Sequence, residues 1–283
     1  MSRLNPTVIM TAGRGSRMKA ASNEPQNILN EARSRPKAMI RIGTDAKPLM
    51  EHLLMQLREE GCTEACLVIA QEDTTTQAHF DVHPIAGMAL TYVRQSIPSG
   101  RKKPLGTAHA VQLALEANPQ WSNDSITIAN GDNLPPRGMF RALFEHDAVL
   151  PAFDPRFLGL PQERVLAFAV LQADPGGKLT GIIEKPTAAE VNASRWGDGQ
   201  PRVSMNYFRL PYAPLLDAVR NVAEHPVRRE RELPEAVSLF LKSGGQMQAL
   251  PLAGAFLDLT HPSGIQKAGE VLDQGGTRLL DRT

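Results

Sequence analysis

Apolar positions in this chain come in short runs that alternate with helical spacings. Thr7 to Met10 is an apolar run that reads as a short buried strand. From Pro48 to Glu60, leucines at 49, 53 and 57 recur every four residues with Met50 and Leu54 beside them. That spacing predicts a helix with one apolar face; Pro48 suits its first turn and Gly61 its end. Cys66 to Ala70 and Leu90 to Val93 predict strands, and Gly106 to Ala117 a helix. Ser125 to Ala129 predicts a strand running straight into Asn130-Gly131-Asp132-Asn133, and Met139 to Glu145 a helix. This β-α-β-α rhythm predicts a largely parallel sheet with helices on both faces.

The second half has a different texture. Val165 to Leu171 and Leu179 to Glu184 predict strands joined by the turn Asp174-Pro175-Gly176-Gly177. Val203 to Leu210 predicts a further strand, Ala213 to Ala223 and Leu233 to Leu241 helices, and Met247 to Leu250 and Ala255 to Leu259 short strands. Pro262 to Leu272 closes the pattern as a helix. No repeat, low-complexity segment or linker interrupts it, so the expectation is one domain over residues 1–283.

Composition narrows the function. A net charge of +1 gives no global reason to bind nucleic acid or an anionic membrane. No apolar run is long enough to cross a bilayer, and the opening MSRLNPTVIM has no secretory pattern, which implies a cytoplasmic protein. Cys62 and Cys66 are too few for a disulfide framework or a zinc site and read as buried reduced thiols.

The chemistry begins where the first strand ends. Ala12-Gly13-Arg14-Gly15-Ser16-Arg17-Met18 offers bare backbone amides, and glycine lets them approach a phosphate closely. Arg14 and Arg17 add guanidinium groups that match phosphate oxygens. No Gly-Lys-Ser/Thr follows, so this is not a Walker A loop, and the third glycine of a dinucleotide fingerprint is absent.

Downstream come Arg35-Pro36-Lys37-Ala38 and Lys47-Pro48-Leu49-Met50-Glu51-His52, then Leu105-Gly106-Thr107-Ala108 and Asn130-Gly131-Asp132. After these follow Gly181-Ile182-Ile183-Glu184-Lys185-Pro186, Met205-Asn206-Tyr207-Phe208, Arg231-Glu232-Leu233-Pro234-Glu235-Ala236 and Phe256-Leu257-Asp258-Leu259. In this order the set resembles the sugar-1-phosphate nucleotidyltransferases, the nucleotide-sugar pyrophosphorylases, through most of the chain. The resemblance implies a Rossmann-like three-layer α/β/α sandwich with a mixed, mostly parallel central sheet, the GT-A-like nucleotidyltransferase fold. It implies a nucleotide-binding half over 1–150 and an acceptor half over 151–283.

The same resemblance assigns roles. Ala12, Gly13, Arg14 and Gly15 wrap a nucleoside triphosphate, and Gln95, Gly106 and Thr107 border its base. Arg17, Lys37 and Lys185 supply positive charge to the reacting phosphates, and Asp132 is catalytic as a magnesium ligand, with Asp258 the second ligand. Gly181, Glu184, Lys185 and Asn206 hold the phosphorylated acceptor. Three motifs depart from the pattern: Asn206 lacks the following glycine, Pro234-Glu235 replaces Thr-Asp, and Thr260-His261-Pro262 replaces Gly-Thr-Pro.

The implied reaction is attack by a sugar phosphate oxygen on the α-phosphorus, with pyrophosphate leaving. Two anions must meet, so alignment and charge neutralisation are the main needs. Mg2+ takes one or two carboxylates and keeps waters, which suits Asp132 and Asp258. Two further readings stay open: a cytidylyltransferase for a non-sugar phosphate or phosphonate, and a non-catalytic relative that binds a nucleotide sugar as a regulator. A homo-oligomer also stays open, as does the nucleotide base. Residues 19–34 and 96–104 are longer than the family pattern. The basic triplet Arg101-Lys102-Lys103 reads as a solvated loop, or as a contact to an anionic substrate group.

Overall fold

The computed structural model describes residues 4–12, 35–160, 168–259 and 263–280. In chain order, the first half holds β1 (Thr7–Met10), a small hairpin of β2 (Arg41–Ile42) and β3 (Lys47–Pro48), α1 (Leu49–Glu60), β4 (Glu64–Ala70) and α2 (Thr76–Val82). It continues with β5 (Ala89–Gln95), α3 (Thr107–Ala117), β6 (Ser125–Asn130), β7 (Asn133–Leu134), α4 (Met139–Phe144) and β8 (Val149–Phe153). The second half adds β9 (Val170–Ala173), β10 (Leu179–Ile183), α5 (Ala188–Ala193), β11 (Phe208–Pro211), α6 (Tyr212–Asn221), α7 (Leu233–Lys242), β12 (Gln248–Leu252), β13 (Leu257–Asp258) and α8 (Ser263–Asp273).

Seven strands form the central sheet in the order β12-β8-β11-β6-β1-β4-β5. β1 lies parallel between β4 and β6, with Val8 opposite Cys66 on one side and Ile128 on the other. β5 extends the parallel set beyond β4, and β12 runs parallel to β8. β11 is antiparallel to both β6 and β8, so one reversed strand stands among six that share a direction. The expected mixed, mostly parallel sheet is therefore present.

Side-chain alternation sorts the core into two layers. Ile9, Leu67, Ile69 and Ala129 point to the layer containing α1 and α4. Val8, Cys66, Val68 and Ile128 point to the other, where α3, α6 and α7 pack. On α1 the buried set Leu49, Met50, Leu53, Leu54 and Leu57 is the predicted stripe, with Pro48 just before the helix and Gly61 in a left-handed cap at φ 112°. Cys62 and Cys66 are free and buried, and burial pushes the Cys62 thiol up to about 11.

Two expectations change, and one strand, β8, was not anticipated. The strand expected over Val203–Leu210 starts only at Phe208, because Asn206 takes a left-handed φ of 58° that breaks extended backbone. Val203 instead makes single bridges to Phe153 and Val170. The strand expected from Val165 is described only over Val170–Ala173, with residues 161–167 outside the described set. β8 carries Pro151, which argues against a central strand; it is accommodated because β8 meets β11 only at Val149–Arg209.

Candidate active site

The parallel strands all finish at one edge: Met10, Ala70, Gln95 and Asn130 are their last residues. Ligands in open α/β sheets sit outside such carboxyl ends. β8 finishes at the same edge and the reversed β11 begins there, which brings Asn206 and Tyr207 alongside; Asn130 Nδ2 donates to the Met205 carbonyl at 3.3 Å. The hairpin of β9 and β10 ends here too, because Ile183 pairs with Val170, Val170 with Val203, and Val203 with Phe153. Glu184 and Lys185 follow directly.

After β6 the chain folds sharply over the end of β1. The Gly131 amide donates to the Met10 carbonyl at 3.0 Å. A Cβ at Gly131 would lie 2.5 Å from Thr11 Cγ2 and 2.8 Å from Met50 Cε, so only glycine allows this approach. The turn delivers Asp132 to the edge, its side chain about half exposed (47%). Lys37, largely buried, donates from Nζ to Asp132 Oδ2 at 2.8 Å.

Asp258 comes from 126 residues later in the sequence but reaches the same place. β13 pairs antiparallel with β7, setting Asp258 opposite Asn133, next to Asp132. The Leu259 amide donates to the Asp132 carbonyl at 3.4 Å. Both aspartates act on the Tyr207 phenol: burial pushes its pKa well above the ordinary value, and the charges of Asp132 and Asp258 push it further. The β7–β13 pair thus brings together the two segments that carry Asp132 and Asp258.

This donor set fits a hard cation. Two carboxylates suit magnesium, which takes remaining ligands from water and substrate phosphates. Among the described residues no group of three His, Cys, Asp or Glu side chains is placed to hold a metal.

Other expected residues form the flank. Gln95, buried at the end of β5, donates from Nε2 to the Gly106 carbonyl at 2.9 Å and lies 3.4 Å from His109 Nδ1. Gly106 has φ 107°, and its backbone is gripped by Arg231: the Arg231 amide donates to Leu105 O at 2.6 Å, and the Ala108 amide donates to Arg231 O at 3.0 Å. Thr107 Oγ1 accepts from the Leu233 amide at 2.9 Å, so this hydroxyl caps the start of α7. Gly181 lies in β10 at a register shift, and Asn206 is exposed.

Glu184 sits among charges. Burial pushes its carboxyl up, Glu232 and Glu235 add to this, and Arg228 and Lys185 oppose it. Lys185 holds a left-handed φ of 50°. Arg228, tied to Glu232, was not singled out from sequence, and Arg231 was quoted only as the first residue of the Arg231–Ala236 motif, with no role.

The basic loop turns towards the chain itself. Arg101 pairs with Glu224 at 3.0 Å and donates to the Arg229 carbonyl, and Lys103 pairs with Glu230 at 3.4 Å. Ala12 is buried at the end of β1. Gly13, Arg14, Gly15 and Arg17, and the long stretch 19–34, lie outside the described residues.

A sheet edge that gathers paired carboxylates, a lysine and a glycine turn has the layout of an enzyme for phosphorylated substrates. The family model described as nucleotidyl transferase matches residues 6–274, and the chain belongs to that family. The chain is 23% identical over 280 residues to the UTP–glucose-1-phosphate uridylyltransferase AglF of Haloferax volcanii, covering 97% of this chain and 99% of that protein. It is also 23% identical over 247 residues to the bifunctional protein GlmU of Staphylococcus epidermidis, covering 85% of this chain but 46% of that relative. Among solved structures, a UDP-glucose pyrophosphorylase complexed with UDP-glucose has the same fold, with TM-score 0.68 at 16% identity, covering 96% of this chain and 99% of that one. The UTP-bound UGPase of Acinetobacter baumannii matches with TM-score 0.66 at 19% identity, covering 94% and 92%. Among the described residues no helix is long and apolar enough to cross a membrane.

Proposed function

We propose that this nucleotidyltransferase transfers a nucleoside monophosphate from a nucleoside triphosphate to a sugar 1-phosphate, releasing pyrophosphate. The observation that carries the reading is the pairing of β7 with β13, which sets Asp132 and Asp258 in adjoining segments with Lys37 against Asp132. Asp132 and Asp258 would hold magnesium, which supplies charge neutralisation to phosphate oxygens when bound.

The chain's own groups do the rest. Lys37 keeps its ammonium beside Asp132, within reach of a phosphate arriving at the same edge. By the family resemblance, Gly13, Arg14, Gly15 and Arg17 would bind the triphosphate. The Gln95–Gly106 turn faces the base. On the other flank, Glu184 accepts from acceptor hydroxyls, Lys185 meets the acceptor phosphate, and Asn206 lines the space between. The acceptor phosphate is already ionised near neutral pH, so no general base is needed. Residues 1–150 then act as a nucleotide half and 151–283 as an acceptor half of one unit.

The relatives named for UTP and glucose 1-phosphate make that pair the first to test. Purified protein is given each common nucleoside triphosphate in turn, a panel of sugar 1-phosphates and magnesium, and released pyrophosphate is measured. Pyrophosphate formation that needs both substrates, stops on chelation and is lost in Asp132→Asn supports the reading. Nucleotide binding without any pyrophosphate release in the whole panel refutes it.

A further inference from the structure

Tyr207 belongs to none of the roles above, yet it touches both segments that carry the aspartates. Its side chain is fully buried. Its hydroxyl donates to Asn133 Oδ1 at 2.5 Å, and Asn133 is itself buried. Asn133 follows Asp132 in the chain and faces Asp258 across the β7–β13 pair. The Tyr207 ring packs against Phe256, with centroids 5.9 Å apart, and Phe256 lies two residues before Asp258. Phe140 of α4 holds the ring edge-on at 5.9 Å, and Phe153 at the end of β8 stacks edge-on against Phe256 at 4.9 Å. On its other side Tyr207 follows the exposed, left-handed Asn206.

We propose that Tyr207 is a positioning residue for the two-carboxylate site: its hydroxyl on Asn133 and its ring on Phe256 lock β7 and β13 so that Asp132 and Asp258 stand at a fixed spacing. A two-residue strand pair has few hydrogen bonds of its own to hold that spacing. A buried phenol bonded to β7 and packed on Phe256, which leads into β13, replaces the missing length. Outer groups that orient metal ligands commonly change metal affinity 10- to 100-fold when removed. Through Asn206, the same residue ties the acceptor flank to the carboxylates.

The inference rests on the reading that Asp132 and Asp258 hold a divalent cation, and the experiment separates the two. Mn2+ binding is titrated by electron paramagnetic resonance on the full chain in the presence of a non-hydrolysable nucleoside triphosphate. The variants are Tyr207→Phe, Asn133→Ala, their double variant and Asp132→Asn. The expected result is a weakening of Mn2+ binding by about 10-fold or more in Tyr207→Phe. Nucleotide affinity measured in chelator should stay within about twofold of wild type, a split that a general loosening of the fold does not produce. The double variant should be no weaker than Asn133→Ala, because both changes remove one bond. Unchanged Mn2+ affinity in Tyr207→Phe, with affinity lost in Asp132→Asn, overturns the positioning role alone. Unchanged affinity in Asp132→Asn overturns the metal reading beneath it. If Tyr207→Phe does not fold, Asn133→Ala tests the same bond from its other end.

Discussion

Substituting Gly106 by alanine should loosen the flank proposed to border the nucleotide. At φ 107° and ψ −177° its backbone lies in a region that only glycine occupies comfortably. Holding alanine there costs about 1–3 kcal/mol. The added methyl would also stand 2.4 Å from the Arg231 carbonyl oxygen and 2.8 Å from the Arg231 nitrogen. These are main-chain atoms with no rotamer to change, and overpacking of this kind costs about 1–3 kcal/mol more. The total is about 4 kcal/mol. Gly100→Ala is the control: Gly100 also has positive φ, at 77°, but a methyl there meets nothing within 4 Å. It should lose only the backbone part, about 1–2 kcal/mol. Urea unfolding followed by tryptophan fluorescence reads both stabilities, and calorimetric titration reads nucleotide affinity. Leu105 and Ala108 both bond Arg231, so Gly106→Ala should also weaken nucleotide binding, whereas Gly100→Ala should leave it alone. Equal stability losses in the two variants, with nucleotide affinity intact in both, would refute the argument that Arg231 and Gly106 form one rigid contact.

Lys37→Gln should lower turnover by about 10²- to 10³-fold, as loss of a group stabilising developing phosphate charge does, while stability falls by less than about 1 kcal/mol because its partner Asp132 is half exposed; steady-state pyrophosphate assays and thermal melts measure the two. Glu184→Gln should raise stability at pH 7 and leave it unchanged near pH 3. The folded carboxyl titrates above its unfolded value, so its penalty is absent below about pH 4, grows as pH rises through the folded pKa and stays above it; melts across pH show whether the difference between variant and wild type closes on acidification. Charge reversal of Lys103 should cost no more than about 1 kcal/mol, since its pair with Glu230 lies at the surface, and should leave acceptor KM unchanged. A large rise in KM would instead indicate contact with substrate.

The first half of the fold could be read directly because each segment carries one strong period. The leucines of α1 and the apolar runs of β1, β4 and β6 each fit a single pattern. The second half was harder for physical reasons. Pro151 hides β8, and the reversal of β11 leaves no local mark. Arg209, in the middle of β11, is buried, with its guanidinium donating to the His146 carbonyl, Thr127 Oγ1 and Asn5 Oδ1. Such long-range polar partners cannot be deduced from a charged residue in an apolar run. At the site, motif order pointed to Asp132 and Asp258, whose convergence depends on β13 pairing with β7. The spent donors of Gln95 and the capping role of Thr107 depend on α7 and the Arg231 segment, far away in sequence.

The lone reversed strand has a modular consequence. β8 exits at the edge that carries Asp132 and β11 enters from that same edge beside it, so the stretch from residue 154 to 206, short of Tyr207, is a detour that leaves and rejoins the scaffold at neighbouring points. Lengthening or exchanging such a detour adds closure entropy that grows only slowly with length, and shifts no register in β6, β1, β4 or β5. On the proposed roles, selection for a new acceptor rewrites this excursion, with Glu184 and Lys185 in it, while Tyr207 and the two aspartates are inherited intact.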